Sequence, residues 1–307
     1  MKLTTKKIIK VSVLLLLIIT IALPFIYNTE KQPLTDQIRS KVSGDFIELS
    51  QGVVHYQQTN MGAEKTVVLV HGFSVPYYIW DPTYNFLVGN GFHVIRYDLY
   101  GRGYSDRPDV DYDQQLFDTQ LLELLNTLNI QKPVDVIGLS MGGAIVAKFV
   151  ADHPEKVNKV VFIDPSHESF YSKKLTVPLL GEYLAAVVML PKAADGQLAD
   201  FKDPDKFSDW PEKYRQQMQY YGFRNALLST LRNFAKPDKL YLYQKVGQLN
   251  KSTLLIWGED DNTLPIANST RVAQALNIET FVVKNAGHIP HFERPEIVNP
   301  ALLSFLQ

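Results

Sequence analysis

The stretch VDVIGLSMGGAIVAK at positions 134–148 joins a short apolar run, a Gly-Leu-Ser-Met-Gly turn and an alanine-rich segment. Val134, Val136 and Ile137 read as a buried strand, and 144–150 continues as a helix with no breaker. Between them the pattern G-x-S-x-G puts Ser140 on a sharp strand-to-helix bend. Gly138 and Gly142 flank it because backbones without β-carbons can approach closely, which leaves Ser140 the strained position. A hydroxyl attacks well only when it is held exposed beside a base and beside preorganised amide donors. Five residues alone are a weak signal, so the surrounding chain has to supply the context.

Working outward, 46–49 and 53–56 read as two short strands joined at Gln51-Gly52, and 66–70 is a continuous apolar run ending in His71-Gly72-Phe73. A helix near 84–88 precedes a strand at 92–97, and Leu116, Leu121, Leu122, Leu124, Leu125 and Leu128 give helical spacing over 114–128. Beyond the serine lie strands at 159–163, 252–257 and 280–284, with helices near 266–276 and 295–305. Strands alternating with helices imply right-handed crossovers, a mainly parallel sheet and helices on both faces. Sites in such sheets form at the carboxyl ends of strands, where Ser140, His71 and Asp164 all fall. The region from about 168 to 239 breaks the alternation; rich in helix formers and without a β run, it reads as an inserted helical lid.

The 307 residues carry a net charge of −1 with both signs interspersed, which gives no electrostatic footprint for nucleic acid. There are no cysteines, so disulfides, thiolate metal sites, a cysteine nucleophile and a lipidated N-terminal cysteine are excluded. Lys2, Lys6, Lys7 and Lys10 precede a nearly uncharged run at 11–27, long enough to span a bilayer with its N-terminus cytoplasmic. A cleaved signal peptide is the rival, since 11–23 has the length of its apolar core. The small-x-small pattern Thr20-Ile21-Ala22 lies inside that run, which favours an uncleaved anchor. The expected organisation is an anchor at 1–27, a polar linker at 28–44 and a body at 45–307. That body would stand outside the cytoplasm on the cell membrane, or be secreted if the segment is cleaved.

Ser140 needs a base. His288 follows the last strand in Asn285-Ala286-Gly287-His288, where a loop can aim it back at the bend; His291 is its competitor on the same loop, and His167 is also available. The acid that orients the histidine can come from Glu259, Asp260 or Asp261 after the penultimate strand, with Asp164 an outlier, and position alone does not choose. The backbone N–H of Met141, at the start of the helix, is placed to donate to an oxyanion. His71, Asp98 and Arg102 read as residues that hold loops in shape. No phosphate-binding loop or dinucleotide fingerprint is present, so no cofactor is expected. No metal is expected either, because Gly287 and Pro290 break a helix that could present His288 and His291 together, and no carboxylate cluster forms a cation cage.

HGF at 71–73, YDLYGRGYSDRP at 97–108, GLSMGG at 138–143, WGEDDNTLP at 257–265 and GHIPHFERP at 287–295 together resemble the α/β-hydrolase superfamily, over nearly all of 45–307 except the lid. That resemblance implies the α/β-hydrolase fold, a mostly parallel eight-stranded sheet with helices on both faces and a helical lid. It selects Asp261, four residues before the proline, as acid and His288 as base, makes Glu293 a structural partner, and assigns Phe73 as the second oxyanion donor. Similarity to serine esterases and lipases of the monoacylglycerol-lipase kind implies hydrolysis of a lipophilic carboxylic ester. Carbon–carbon bond hydrolysis of the meta-cleavage type is an alternative, in which the lid's Lys213, Arg215, Arg224 and Arg232 would bind a carboxylate; a ligand-binding signalling protein on the same fold is another. The expected partners are a small-molecule ester and, through the anchor, a membrane.

Overall fold

A computed structural model of the chain describes residues 5–169, 172–235 and 237–307; Lys2 and lid positions 170, 171 and 236 lie outside the described residues. Its eight strands are β1 (Asp45–Leu49), β2 (Gly52–Thr59), β3 (Thr66–Val70), β4 (His93–Tyr97), β5 (Val134–Leu139), β6 (Val157–Ile163), β7 (Ser252–Gly258) and β8 (Thr280–Val283). They form one sheet in the order β1-β2-β4-β3-β5-β6-β7-β8, in which β2 alone among these strands runs antiparallel to both its neighbours. The mostly parallel eight-stranded sheet is therefore as the motifs implied.

Parallel strands need both faces covered, and their side chains divide accordingly. In β3, Val68 and Val70 enter the core under helices Gln114–Thr127 and Met141–Asp152, while Val67 and Leu69 enter the core shared with helices Asp81–Gly89 and Pro295–Leu306. All four are fully buried. Helix Gln114–Thr127 starts where the Asp113 side chain accepts from the Leu116 N–H at 2.9 Å, an N-cap of the ordinary kind.

Between β6 and helix Leu240–Gln248 the chain leaves the sheet and builds the lid from helices Leu180–Leu184, Leu190–Gly196, Trp210–Met218 and Phe223–Asn233. Phe201 stacks on Phe207 at 4.1 Å, and Trp210 meets Phe292 of the body at 4.8 Å. Most of the lid's aromatic surface packs it onto the body, with Trp210, Tyr214 and Phe223 buried.

Helix Thr5–Ile26 is 22 residues long, has a mean hydropathy of 2.6 over its most apolar 18 residues and buries none of them. It is long and apolar enough to cross a membrane, and it touches the lid at Ala185–Met189. The following segment, read as a linker, is docked rather than free. Its backbone bonds to lid positions 219 and 221, Glu30 accepts from the Arg224 N–H at 2.7 Å, and buried Arg39 pairs with Asp106. Polar side chains that look like solvated linker in sequence are here spent on lid main chain and on the 98–106 loop.

Candidate active site

Ser140 sits between β5 and helix Met141–Asp152 at φ 53° and ψ −119°, a conformation costing on the order of 1–3 kcal/mol for a residue with a β-carbon. The bend is held on both sides. The Ser140 N–H donates to the Ile163 carbonyl at 2.9 Å, and the Ser140 carbonyl accepts from the N–H groups of Gly143 at 3.0 Å and Ser166 at 2.9 Å. A β-carbon on Gly138 would stand 2.5 Å from the Gly142 carbonyl oxygen, and one on Gly142 would collide with the Val70 carbonyl. Glycine is required at both positions by this crossing of strand end and helix start.

Ser140 and His288 line one cavity of about 200 Å³, walled by Phe73, Val75, Ile79, Leu139 and Ile289 with Asp200 and Thr263 at its polar side. His288 Nδ1 lies 2.7 Å from Asp261 Oδ2. The other Asp261 oxygen accepts the N–H groups of Thr263 at 2.8 Å and Leu264 at 2.7 Å, which fixes the carboxylate's orientation. Burial is the largest influence on the His288 ring and opposes its charge. The charge and hydrogen bond of Asp261, with the charge of Asp200, outweigh it and raise the histidine above its ordinary pKa. Such a ring is poised to take a proton while Asp261 stabilises the resulting imidazolium.

The neighbouring candidates lie elsewhere. Glu259 is exposed, and Asp260 pairs with Lys202 at 2.9 Å. His291 is fully buried, bonded through Nε2 to the Ile79 carbonyl and packed on Trp80, and burial pulls it down to about 3. His167 Nε2 is 3.8 Å from Glu168. His71 donates from Nδ1 to the Gly72 carbonyl and accepts the Leu99 N–H at Nε2, so both its nitrogens serve the loop; burial pulls it down to about 4.

Met141 is the first residue of its helix, so its N–H is among those without an intrahelical acceptor. Phe73 lines the cavity, and its carbonyl accepts from Arg102 Nε at 2.8 Å. Arg102 is fully buried, which draws its guanidinium down to about 10, and it also donates to Tyr100 O and to Thr230 Oγ1 of the lid at 2.9 Å. It thus ties the Phe73 loop to helix Phe223–Asn233. Gln217 makes a second tie, donating to the Ser74 carbonyl and accepting the Gly103 N–H, each at 2.9 Å. Asp98 accepts from His55 at 2.7 Å and from the Tyr77 and Tyr104 N–H groups. Asp200 and Gln217 carry no motif in the sequence; both come from the lid and gain their positions only from its docking.

Ligand atoms of Asp164, Asp261 and His288 lie within 4.8 Å of one another, the spacing of a cation site. The Asp261 and His288 atoms already meet across 2.7 Å, closer than a metal inserted between them permits. Among the described residues, the cavity wall includes none of Lys213, Arg215, Arg224 and Arg232; Lys213 pairs with Asp209, Arg215 with Asp195 and Arg232 with Glu182.

A serine on a strained β5 elbow, facing a histidine delivered from the end of β8 of a largely parallel sheet, defines an α/β hydrolase. The chain belongs to that family: the model for the alpha/beta hydrolase fold matches residues 65–295. A monoacylglycerol lipase from Homo sapiens is 24% identical over 80% of this chain and 76% of its own. A 2-hydroxy-6-oxononadienedioate/2-hydroxy-6-oxononatrienedioate hydrolase from Paraburkholderia xenovorans is 27% identical over 85% and 94%. Among solved structures, a membrane phospholipase A described as a bacterial virulence factor superposes with a TM-score of 0.68 at 24% identity, over 98% of each chain.

Proposed function

We propose that this protein is a serine esterase that cleaves a lipophilic, monoacylglycerol-like carboxylic ester through an acyl-enzyme. The observation that carries the reading is the cavity shared by Ser140 and His288, apolar on most sides, with Asp261 bonded to the far nitrogen of the histidine. Ser140 attacks the acyl carbon as His288 takes its proton, Asp261 holds the tautomer, and the N–H groups of Met141 and Phe73 receive the oxyanion. The alcohol leaves with the proton returned by His288, and a water activated by the same ring releases the acid.

The names of the lipase relative and of the phospholipase neighbour agree with an ester substrate, and helix Thr5–Ile26 agrees with a membrane anchor that leaves the catalytic body outside the cytoplasm. Carbon–carbon cleavage of a dicarboxylate is disfavoured because none of the four lid cations lines the cavity and three of them, Lys213, Arg215 and Arg232, are engaged with acids. With the lid as placed, about 200 Å³ is small beside the ~300–1,000 Å³ of ordinary ligand pockets, so a long acyl chain requires the lid to part. The test is a fluorophosphonate probe together with a series of p-nitrophenyl esters. Labelling lost in Ser140→Ala, with rates that rise from acetate to longer chains, is the expected result. Rates that only fall from acetate upward would remove the lipid substrate, and an unlabelled, inactive protein would remove the enzyme.

A further inference from the structure

β6 ends at Ile163, and the chain turns at Asp164 with φ 42°, a left-handed conformation in a residue other than glycine. The turn is fastened on the β7 side, where the Asp164 N–H donates to the Ile256 carbonyl at 3.0 Å and its Oδ1 accepts the Gly258 N–H at 2.9 Å. The residue is wholly buried, and among the described residues no N–H or O–H donor reaches Oδ2. What stands within 4.8 Å of this carboxyl is the Asp261 carboxylate and the His288 ring. Two buried carboxylates this close disfavour charge on both, and an acid with a spare oxygen beside a carboxylate has one good use for a proton.

We propose that Asp164 is a positioning residue, kept as a neutral carboxylic acid whose O–H donates to the Asp261 carboxylate and holds it aimed at His288 Nδ1. The proposal rests on the Ser140–His288–Asp261 reading above. Burial first, and the Asp261 charge second, push the Asp164 carboxyl well above the usual carboxylate range, against the smaller pull of the Gly258 N–H. Asp164 is faced by Asp261 from the loop after β7 and His288 from the loop after β8, and Asp200 from the lid bears by its charge on Asp261 and His288. Asp261 then has donors on every side: two backbone N–H groups on one oxygen, His288 on the other, and Asp164 behind.

The test uses the full-length protein in detergent and compares wild type with Asp164→Asn and Asp164→Ala. In Asp164→Asn the side-chain oxygen still faces the Gly258 N–H and the amide N–H replaces the acid O–H. Its fluorophosphonate labelling rate at neutral pH is therefore expected within about threefold of wild type. Asp164→Ala loses one hydrogen bond to a charged acceptor and is expected to react roughly 10- to 100-fold more slowly. Infrared difference spectra of wild type against Asp164→Asn should show the carbonyl stretch of a protonated carboxylic acid at neutral pH. An Asn variant as slow as the Ala variant, or wild type without that band, would overturn the proposal. If Asp164→Ala does not fold, the Asn rate and the band decide alone. If wild type is not labelled at Ser140, the parent reading fails while the band still reports on the shared proton.

Discussion

Glu293 joins the lid to the loop that carries His288, and its removal is the most informative single perturbation. One carboxylate oxygen accepts the N–H groups of Gly287 at 2.7 Å and Lys202 at 3.1 Å; the other accepts Asp203 N–H at 2.9 Å. In the same junction the His288 N–H donates to the Asp200 carbonyl at 2.8 Å. Bonds to a charged acceptor are worth about 1.5–3 kcal/mol each when protected from water. Only the Gly287 bond is partly buried, so about 1.5 kcal/mol is assigned to it and roughly 0.5 kcal/mol to each of the exposed lid bonds, near 2.5 kcal/mol together. For a chain of this size Glu293→Ala is then expected to lower Tm by roughly 4 °C. If about half of that loss is felt in the geometry of the His288 loop, kcat/KM falls on the order of tenfold. Glu293→Gln keeps an acceptor for Gly287 and Lys202 but turns its NH₂ towards the Asp203 N–H, and should fall between the two. Thermal unfolding by circular dichroism and ester hydrolysis measure both quantities. A Glu293→Ala protein with Tm within about 1 °C of wild type and unchanged kcat/KM would refute the clasp.

Three further outcomes follow from the site. Activity is lost as pH falls through the raised pKa of His288, because the base must be neutral, so Asp200→Asn, which removes a charge that raises that pKa, should move the acid limb of kcat/KM to lower pH; a stationary limb counts against the placement of Asp200. Asp261→Asn should cost about 10³–10⁴-fold in kcat, as loss of a tautomer-fixing acid does elsewhere. Glu259→Gln and Asp260→Asn should each stay within about twofold, and equal losses at all three positions would refute the assignment. Arg102→Met frees the Phe73 carbonyl and the Thr230 hydroxyl, and should lower kcat by roughly tenfold with KM nearly unchanged; a pure KM effect would show that Arg102 serves the lid rather than the oxyanion loop.

The strands were legible in sequence because a parallel sheet buried on both faces demands largely apolar runs, and 66–70, 134–139 (interrupted by Asp135) and 254–257 are such runs. The elbow was legible because contact between strand end and helix start forces glycine at 138 and 142. Choosing among three adjacent carboxylates was not possible from position, since all three follow the same strand. What brings Asp261 to His288 is the turn after Gly258 and the two amides of Thr263 and Leu264, which leave no trace in residue type. Asp200 and Gln217 were invisible for a related reason: they lie in a lid whose contacts with the body are irregular and have no period. The docking of 28–44 was hidden because it combines main-chain groups that every residue possesses with polar side chains, such as Glu30 and Arg39, that in sequence look like solvated linker.

The two sides of the site are held by different kinds of bond. Beneath the cavity the sheet's ladder continues past the strand ends: Ser140 N–H reaches Ile163 O on β6, Asp164 N–H reaches Ile256 O on β7, and the N–H groups of Glu259 and Asp260 reach Val283 O and Ala286 O at and beyond the end of β8. The loops bearing Ser140, Asp261 and His288 are therefore zipped in series by main-chain bonds that cannot break without opening the sheet. Above the cavity the lid is fastened largely by side chains, through Glu293 to 202 and 203, Arg102 to Thr230, and Gln217 to the 74 and 103 backbone. The Glu293 bonds to 202 and 203 lie at an exposed edge and exchange with water at small cost, whereas those of Arg102 and Gln217 are buried. Local opening is thus cheaper at the Glu293 edge of the lid than at the loops bearing Ser140, Asp261 and His288, so enlarging the cavity from that edge can leave the relation of those three residues undisturbed.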